Sequence, residues 1–379
     1  MALKKKQQNQ LVIGAVVIVV FVLLIAGAAL YFQSSTFRES SFANAEIKTL
    51  PDGTKYLVHP DELLSGGPPK GGIGIDRGIP AIAEPEFISV EEATWLADDD
   101  IIFGMSLNSE ARAYPKQILV WHEIVNDFFG DMPVLVTYCP LCGTGIAFDR
   151  TINGEAVRFG TSGKLYSSNL VMYDEKTDSY WTQVGGRAIV GELTGTKLKI
   201  LPIETMTFAD WKKLHPETKV LSRDTGFSRS YGTDPYGDYY TSENVGFGVS
   251  FSDTRLHPKA MVAGIVINGK AKAYSVKAVA NAVAVNDIFE ETPLLIVVNP
   301  AIDVGEGFEL NPVRIFSRSI AGETLEFSYT SGKLLDNHGE EWSFDGINLE
   351  SGTQLEQISH ESSMWFAWLN FHPDTELYA

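Results

Sequence analysis

Pro133-Val134-Leu135-Val136-Thr137-Tyr138-Cys139-Pro140-Leu141-Cys142-Gly143-Thr144-Gly145-Ile146-Ala147-Phe148 is the stretch whose reading decides the fold. Its first half is apolar and β-branched, as strands are. Proline and glycine then punctuate it, and a second apolar run leads out. The spacing predicts strand, tight loop, strand, with Cys139 and Cys142 in the loop. These are the only two cysteines of 379 residues. Two sulfurs at this spacing can close a small disulfide ring, exchange with other disulfides, or chelate one soft metal ion.

Working outward, the pattern predicts a hairpin from Ile101–Leu107 and Ala111–Tyr114. A short helix is expected from Pro115 to about Val125, with proline at its first turn, where no N–H is missed. Strands are expected at 133–139, 144–149, 155–160 and 168–173, with Ile152-Asn153-Gly154 as a hairpin turn. Tyr180–Thr182 adds a short strand and Thr207–Leu214 a closing helix. Many strands with few helices predict a sheet-rich α+β class.

The same words recur later in the chain. Ala111-Arg112-Ala113-Tyr114 returns as Ala271-Lys272-Ala273-Tyr274, and Val125-Asn126-Asp127 as Val285-Asn286-Asp287. Phe129, Pro133, Leu135 and Pro140 match Phe289, Pro293, Leu295 and Pro300 at the same offset of 160. Ser162-Gly163-Lys164-Leu165 matches Ser331-Gly332-Lys333-Leu334, and Trp181 matches Trp342. Trp211 with His215-Pro216 matches Trp368 with His372-Pro373. The expectation is an internal repeat of one sheet-rich unit.

The chain is acidic, with net charge −18, which argues against nucleic acid as a partner. Residues 1–10, read as a cytoplasmic tail, hold three lysines and no acid. Leu11 to Phe32 is an uncharged apolar stretch long enough for a membrane-spanning helix. Lysines before it predict a single-pass anchor in the lipid bilayer, with the N-terminus cytoplasmic and the body extracytoplasmic. The remaining boundaries follow composition. Residues 33–84 read as a membrane-proximal linker, 85–222 as the first unit, 223–256 as a turn-rich connection, and 257–379 as the second unit.

Tyr138-Cys139-Pro140-Leu141-Cys142-Gly143 resembles the central signature of the domain-of-unknown-function family 3179. Trp121 to Asp127, Ser168 to Asp174, Asp224-Thr225-Gly226, Asp234 to Gly237 and Arg255 to Lys259 resemble that family as well. The likeness covers about residues 75–379. It implies a secreted or membrane-anchored setting and carries over no catalytic residue.

The two units act as a control on each other. At the offset of 160, Cys139, Cys142, His122 and Glu123 correspond to Asn299, Ile302, Ala282 and Val283. A chemical site is therefore expected in the first unit, and the second is expected to be a degenerate, structural copy. Ile118, Trp121, His122 and Val125 fall on one helical face, which predicts His122 over the end of the Cys139 strand.

Three readings of the site stand. The leading one is a soft-metal site of Cys139, Cys142 and His122, with Met172 as a weak fourth ligand. Its sulfur content favours copper over zinc, for redox work or metal handling. Trp121 and Tyr138 would screen such a site, and Glu123 would orient the imidazole. The second reading is a redox dithiol exchanging with envelope protein partners. The third is a non-catalytic surface module with a structural disulfide.

Overall fold

The computed structural model describes residues 45–67, 78–245, 249, 253–305 and 308–379. The expected tail and membrane anchor lie outside these residues. No helix among the described residues is long and apolar enough to cross a membrane.

The Cys-bearing stretch folds as strand, turn, strand. Met132–Cys139 and Thr144–Asp149 pair antiparallel, from Val134 opposite Asp149 to Cys139 opposite Thr144. Ile124–Phe129 flanks the first of these strands and Lys199–Leu201 the second, giving a four-stranded sheet. The hairpin Ile101–Leu107 and Glu110–Pro115 turns through Asn108 and Ser109, both at positive φ as tight hairpin turns require. It joins a five-stranded sheet with Glu204–Thr207, Lys219–Leu221 and Phe87–Ile88. The expected turn at Asn153 and Gly154 also forms, with φ of 53° and 80°. The closing helix is Phe208–Leu214, capped by the Thr207 hydroxyl. These elements make the protein sheet-rich α+β.

Two details differ from expectation. The helix expected to reach Val125 spans Lys116–His122, and Glu123 terminates it in the left-handed region. Val125, expected as the last residue of the helix, then belongs to the Ile124–Phe129 strand. The described part of the expected linker is built into a sheet. Lys48–Thr49, Lys55–Tyr56 and Leu64–Ser65 supply outer strands of a seven-stranded sheet whose middle is Phe159–Tyr166, Asn169–Asp174, Tyr180–Thr182 and Ala188–Val190.

From residue 261 onward the chain forms a hairpin, Met261–Ile267 with Lys270–Ser275, then the helix Val276–Ala282, then a second hairpin, Ala284–Phe289 with Thr292–Val297. Several side-chain bonds occur in corresponding form in both halves. Trp211 donates its indole N–H to Thr218 at 2.8 Å, and Trp368 donates to Thr375 at 2.9 Å. Trp181 donates to Asp174 and Trp342 to Asp336, each at 2.9 Å. Tyr114 donates to Asp127, and Tyr274 to Asp287. All of these Trp and Tyr rings are buried. His215 and His372 stack on Trp211 and Trp368 at helix exits.

The halves are pinned together. Arg314 forks onto Glu204 at 2.8 and 2.9 Å and also pairs with Asp345. Thr205 and Asn311 exchange a backbone bridge. Beside the cysteine turn, the Thr144 and Ser363 hydroxyls lie 3.3 Å apart. A Cβ added at Gly143 would meet Met364 at 2.9 Å, so the second half packs directly against the turn.

Candidate functional site

Cys139 ends its strand and caps the short 3-10 turn Pro140–Cys142. Residues three apart in a 3-10 turn eclipse, so both sulfurs project to the same side. Gly143 closes the turn in the left-handed region, which glycine adopts without steric cost. Both thiols are free and buried. Both donate to the Ser168 carbonyl, Cys142 at 3.3 Å and Cys139 at 3.8 Å. Ser168 reaches them from the tight turn between Phe159–Tyr166 and Asn169–Asp174, held at φ 62°. Burial pushes the Cys139 thiol well above its ordinary value. The adjacent Cys142 side chain pushes it further, and backbone N–H groups of Leu170 and Cys142 only partly oppose this.

His122 is not aimed at the sulfurs as the metal reading requires. Its Nδ1 lies 2.7 Å from the Pro80 carbonyl, which can only accept, so Nδ1 carries the proton. Its Nε2 therefore accepts from the Tyr231 hydroxyl at 2.6 Å, which in turn meets Thr225 at 2.6 Å. Burial and the nearby Arg229 charge lower its pKa to about 4, against the opposing pull of the Pro80 carbonyl. It is a neutral ring that ties the segment before Ile82 to the connection. The physical reason for the correction is that both ring nitrogens are taken, one by the Pro80 carbonyl and one by the Tyr231 hydroxyl, which leaves neither for a metal.

The Glu123 carbonyl accepts from the Tyr138 N–H at 2.8 Å, which sets it beside the end of the cysteine strand. Its carboxyl is buried, and burial followed by the Cys139 charge raises its pKa well above the usual carboxylate range. The His122 ring nitrogens are held by Pro80 and Tyr231, so Glu123 does not orient the imidazole. Tyr138 is buried, whereas Trp121 is half-buried and its indole N–H has no partner. Met172 lies in the same buried apolar cluster as both cysteines. Among the described residues, no group of three or more His, Cys, Asp or Glu side chains is arranged to hold a metal ion.

The connection between the halves covers the turn. The Tyr239 hydroxyl donates to the Leu141 carbonyl at 2.7 Å, and Tyr236 and Tyr240 pack in the same cluster. Lys259, buried, lies 3.2 Å from the Tyr239 ring centre, bonds the Tyr239 carbonyl, and donates to Ser242 at 3.1 Å. Burial lowers its pKa to about 8. Sequence reading missed Ser168 as a partner of the thiols, and Tyr239, backed by Lys259, as a cover of their turn. Ser168 and Lys259 sit in visible motifs and Tyr239 in the turn-rich connection, but nothing in their spacing links them to Cys139. A small cavity of about 50 Å³ reaches this region, lined by Glu123, Leu141, Leu170, Tyr236, Gly66 and Ile79 among others.

No curated protein and no solved structure matches the chain. A family model described as a protein of unknown function matches residues 76–375, most of the chain, and the protein accordingly belongs to the DUF3179 family.

Proposed function

We propose that this protein is an extracytoplasmic thiol-redox protein, anchored in the membrane by residues 11–32, in which Cys139 and Cys142 cycle between dithiol and disulfide. The observation that carries the reading is the pair of free, buried thiols on one 3-10 turn, both donating to the Ser168 carbonyl. Those bonds exist only in the dithiol. They lower its free energy relative to the disulfide and so make the disulfide the more oxidising partner of the couple. In that direction the disulfide accepts two electrons and two protons from two partner thiols, which leave joined as a disulfide. Proteins of the cell envelope are the partner class, since disulfides persist there.

The reading also rests on the inference that the two halves are copies of one unit. The second carries Asn299, Ile302 and Val283 where the first has Cys139, Cys142 and Glu123. The second half is then a structural partner that buttresses the turn through Ser363 and Met364.

A soft-metal reading, copper ahead of zinc, keeps Cys139, Cys142 and Met172, which share one buried cluster, and loses His122. One experiment separates the two. The body is purified without chelator, its metal content is measured, and its mass is taken in oxidised and in reduced dithiothreitol. Reversible loss of two hydrogens without bound metal supports the redox reading. Stoichiometric copper or zinc with thiols that never pair replaces it with the metal one.

A further inference from the structure

We propose that the cavity walled by Arg150 and Arg158 binds the carboxylate of a small organic acid with an apolar or aromatic body, at a site separate from the thiols. Arg150 is buried. It donates to three carbonyls, of Val134 at 3.2 Å, Val157 at 3.1 Å and Asp127 at 3.0 Å. Arg318, also buried, holds the corresponding set in the second half: Leu294 at 3.1 Å, Leu325 at 2.7 Å and Asp287 at 3.3 Å. Nearby, Asn126 clasps the backbone of Phe159 as Asn286 clasps that of Phe327. The two arginines therefore sit in like frames.

Their counter-charges differ. Arg318 pairs with the Glu326 carboxylate, eight residues on in the chain. Eight residues after Arg150 stands Arg158, a second cation. Among the described residues no carboxylate pairs with Arg150. Asp127, whose carbonyl it bonds, gives its carboxylate to Arg112 and to the Tyr114 hydroxyl. Arg158 meets Glu84 at 3.2 Å, but that pair is exposed and contributes little. A buried cation without a counter-ion is costly, and the three carbonyls leave guanidinium N–H groups over. Burial lowers the Arg150 pKa and the Arg158 charge lowers it further, with Asp127 opposing in part, so an added anion is favoured there.

There is room for one. Arg112, Arg150 and Arg158 line a single surface cavity of about 530 Å³, a size that suits a small molecule, in a chain whose net charge is −18. Of the two carboxylates in its wall, Asp127 is matched by Arg112 and Glu84 by Arg158. Arg150 is the cation left over. A guanidinium takes a carboxylate through parallel N–H bonds. That a carboxylate satisfies Arg318 favours the same group here over a phosphate. Phe87 and Phe128 supply the apolar wall. The Phe128 ring lies 4.3 Å from the Arg150 guanidinium carbon and is 46% exposed. A planar or apolar body seated beside the bound carboxylate would cover that ring.

The test titrates the full-length protein, kept in detergent, with benzoate, acetate and inorganic phosphate by calorimetry, and follows its melting temperature with each. Benzoate is expected to bind saturably, more tightly than acetate, and to raise the melting temperature. Arg158→Glu gives Arg150 the carboxylate that Arg318 has. It is expected to melt higher than the wild type and to bind benzoate about ten- to a hundredfold more weakly. Arg158→Gln removes the charge without adding a carboxylate, and about tenfold weaker binding is expected of it whatever the first variant does to folding. Glu84→Gln is expected to bind benzoate more tightly, since Glu84 then no longer competes for Arg158. No saturable benzoate binding, or wild-type affinity in both Arg158 variants, would overturn the proposal. So would an Arg158→Glu protein that melts lower, because Arg150 would then not lack a counter-charge. Phosphate bound in preference to benzoate would overturn the choice of carboxylate, and acetate bound as tightly would overturn the part given to Phe128.

Discussion

Glu123 and Val283 both stand at positive φ, 56° and 65°, at the ends of two seven-residue helices. A β-branched residue is poorly suited to positive φ, because its Cβ crowds the carbonyl. Val283→Gly is expected to raise stability by about 1 kcal/mol, read from the denaturant midpoint. An unchanged or lowered midpoint would show that the valine side chain's packing outweighs the strain.

Gly104 and Gly264 lie under Trp211 and Trp368. A Cβ at either would stand 2.4 or 2.3 Å from the indole ring. Gly104→Ala and Gly264→Ala should each cost about 1–3 kcal/mol, and by similar amounts. A large cost at one site and none at the other would count against reading the halves as copies of one unit. Thermal melts of the two variants decide this.

Arg314 joins the halves through Glu204, with the two side chains 9% and 13% exposed. Removing one member of a buried pair leaves the other charge uncompensated, so Arg314→Ala should cost about 3–5 kcal/mol. The loss should persist in high salt, which screens exposed pairs far more than buried ones. A loss that vanishes in salt would mark the pair as a surface contact.

Glu361 and His372 give opposite pH signatures. Glu361 holds the Gly185 N–H at 3.2 Å, and burial raises its pKa to about 7. Its favourable contribution is complete below the unfolded value of 4.5 and is lost as pH rises toward about 7. Glu361→Gln should therefore be the more stable protein at pH 8, by about 3 kcal/mol. His372 has both ring nitrogens buried without partners, and burial lowers its pKa to about 3. Its contribution is complete above 6.5 and lost as pH falls toward about 3. His372→Phe should gain about 2 kcal/mol at pH 5. Equilibrium unfolding at both pH values tests the pair, and equal shifts at both would refute the assignment.

Much of the fold was legible because its punctuation is local. Asn153-Gly154 states a hairpin turn in the residues that adopt it, and the Trp211 and Trp368 helices end on matching His-Pro exits. That the two thiols share one tight turn was legible as well, since proline and glycine bracket them. What misled was Glu123. Glutamate is an ordinary helix residue and gives no sign of a left-handed backbone, so the apolar spacing was projected through it to Val125. His122 was aimed at the sulfurs because nothing in the spacing reveals Pro80 and Tyr231, distant in sequence, as the partners of its ring. The outer strands at 48–49, 55–56 and 64–65 were unreadable for another reason. Two-residue strands have no period, and only the sheet they join gives them a conformation.

The contact of Thr144 with Ser363, and of Gly143 with Met364, also bears on the order of events during synthesis. A ribosome delivers Cys142 more than 200 residues before Met364. Throughout that interval the nascent chain carries its sulfurs without the wall that later seals them. Completion of the packing around the cysteine turn thus waits on residues 361–364, and a chain cut short before residue 361 would lack the Ser363 and Met364 contacts to that turn.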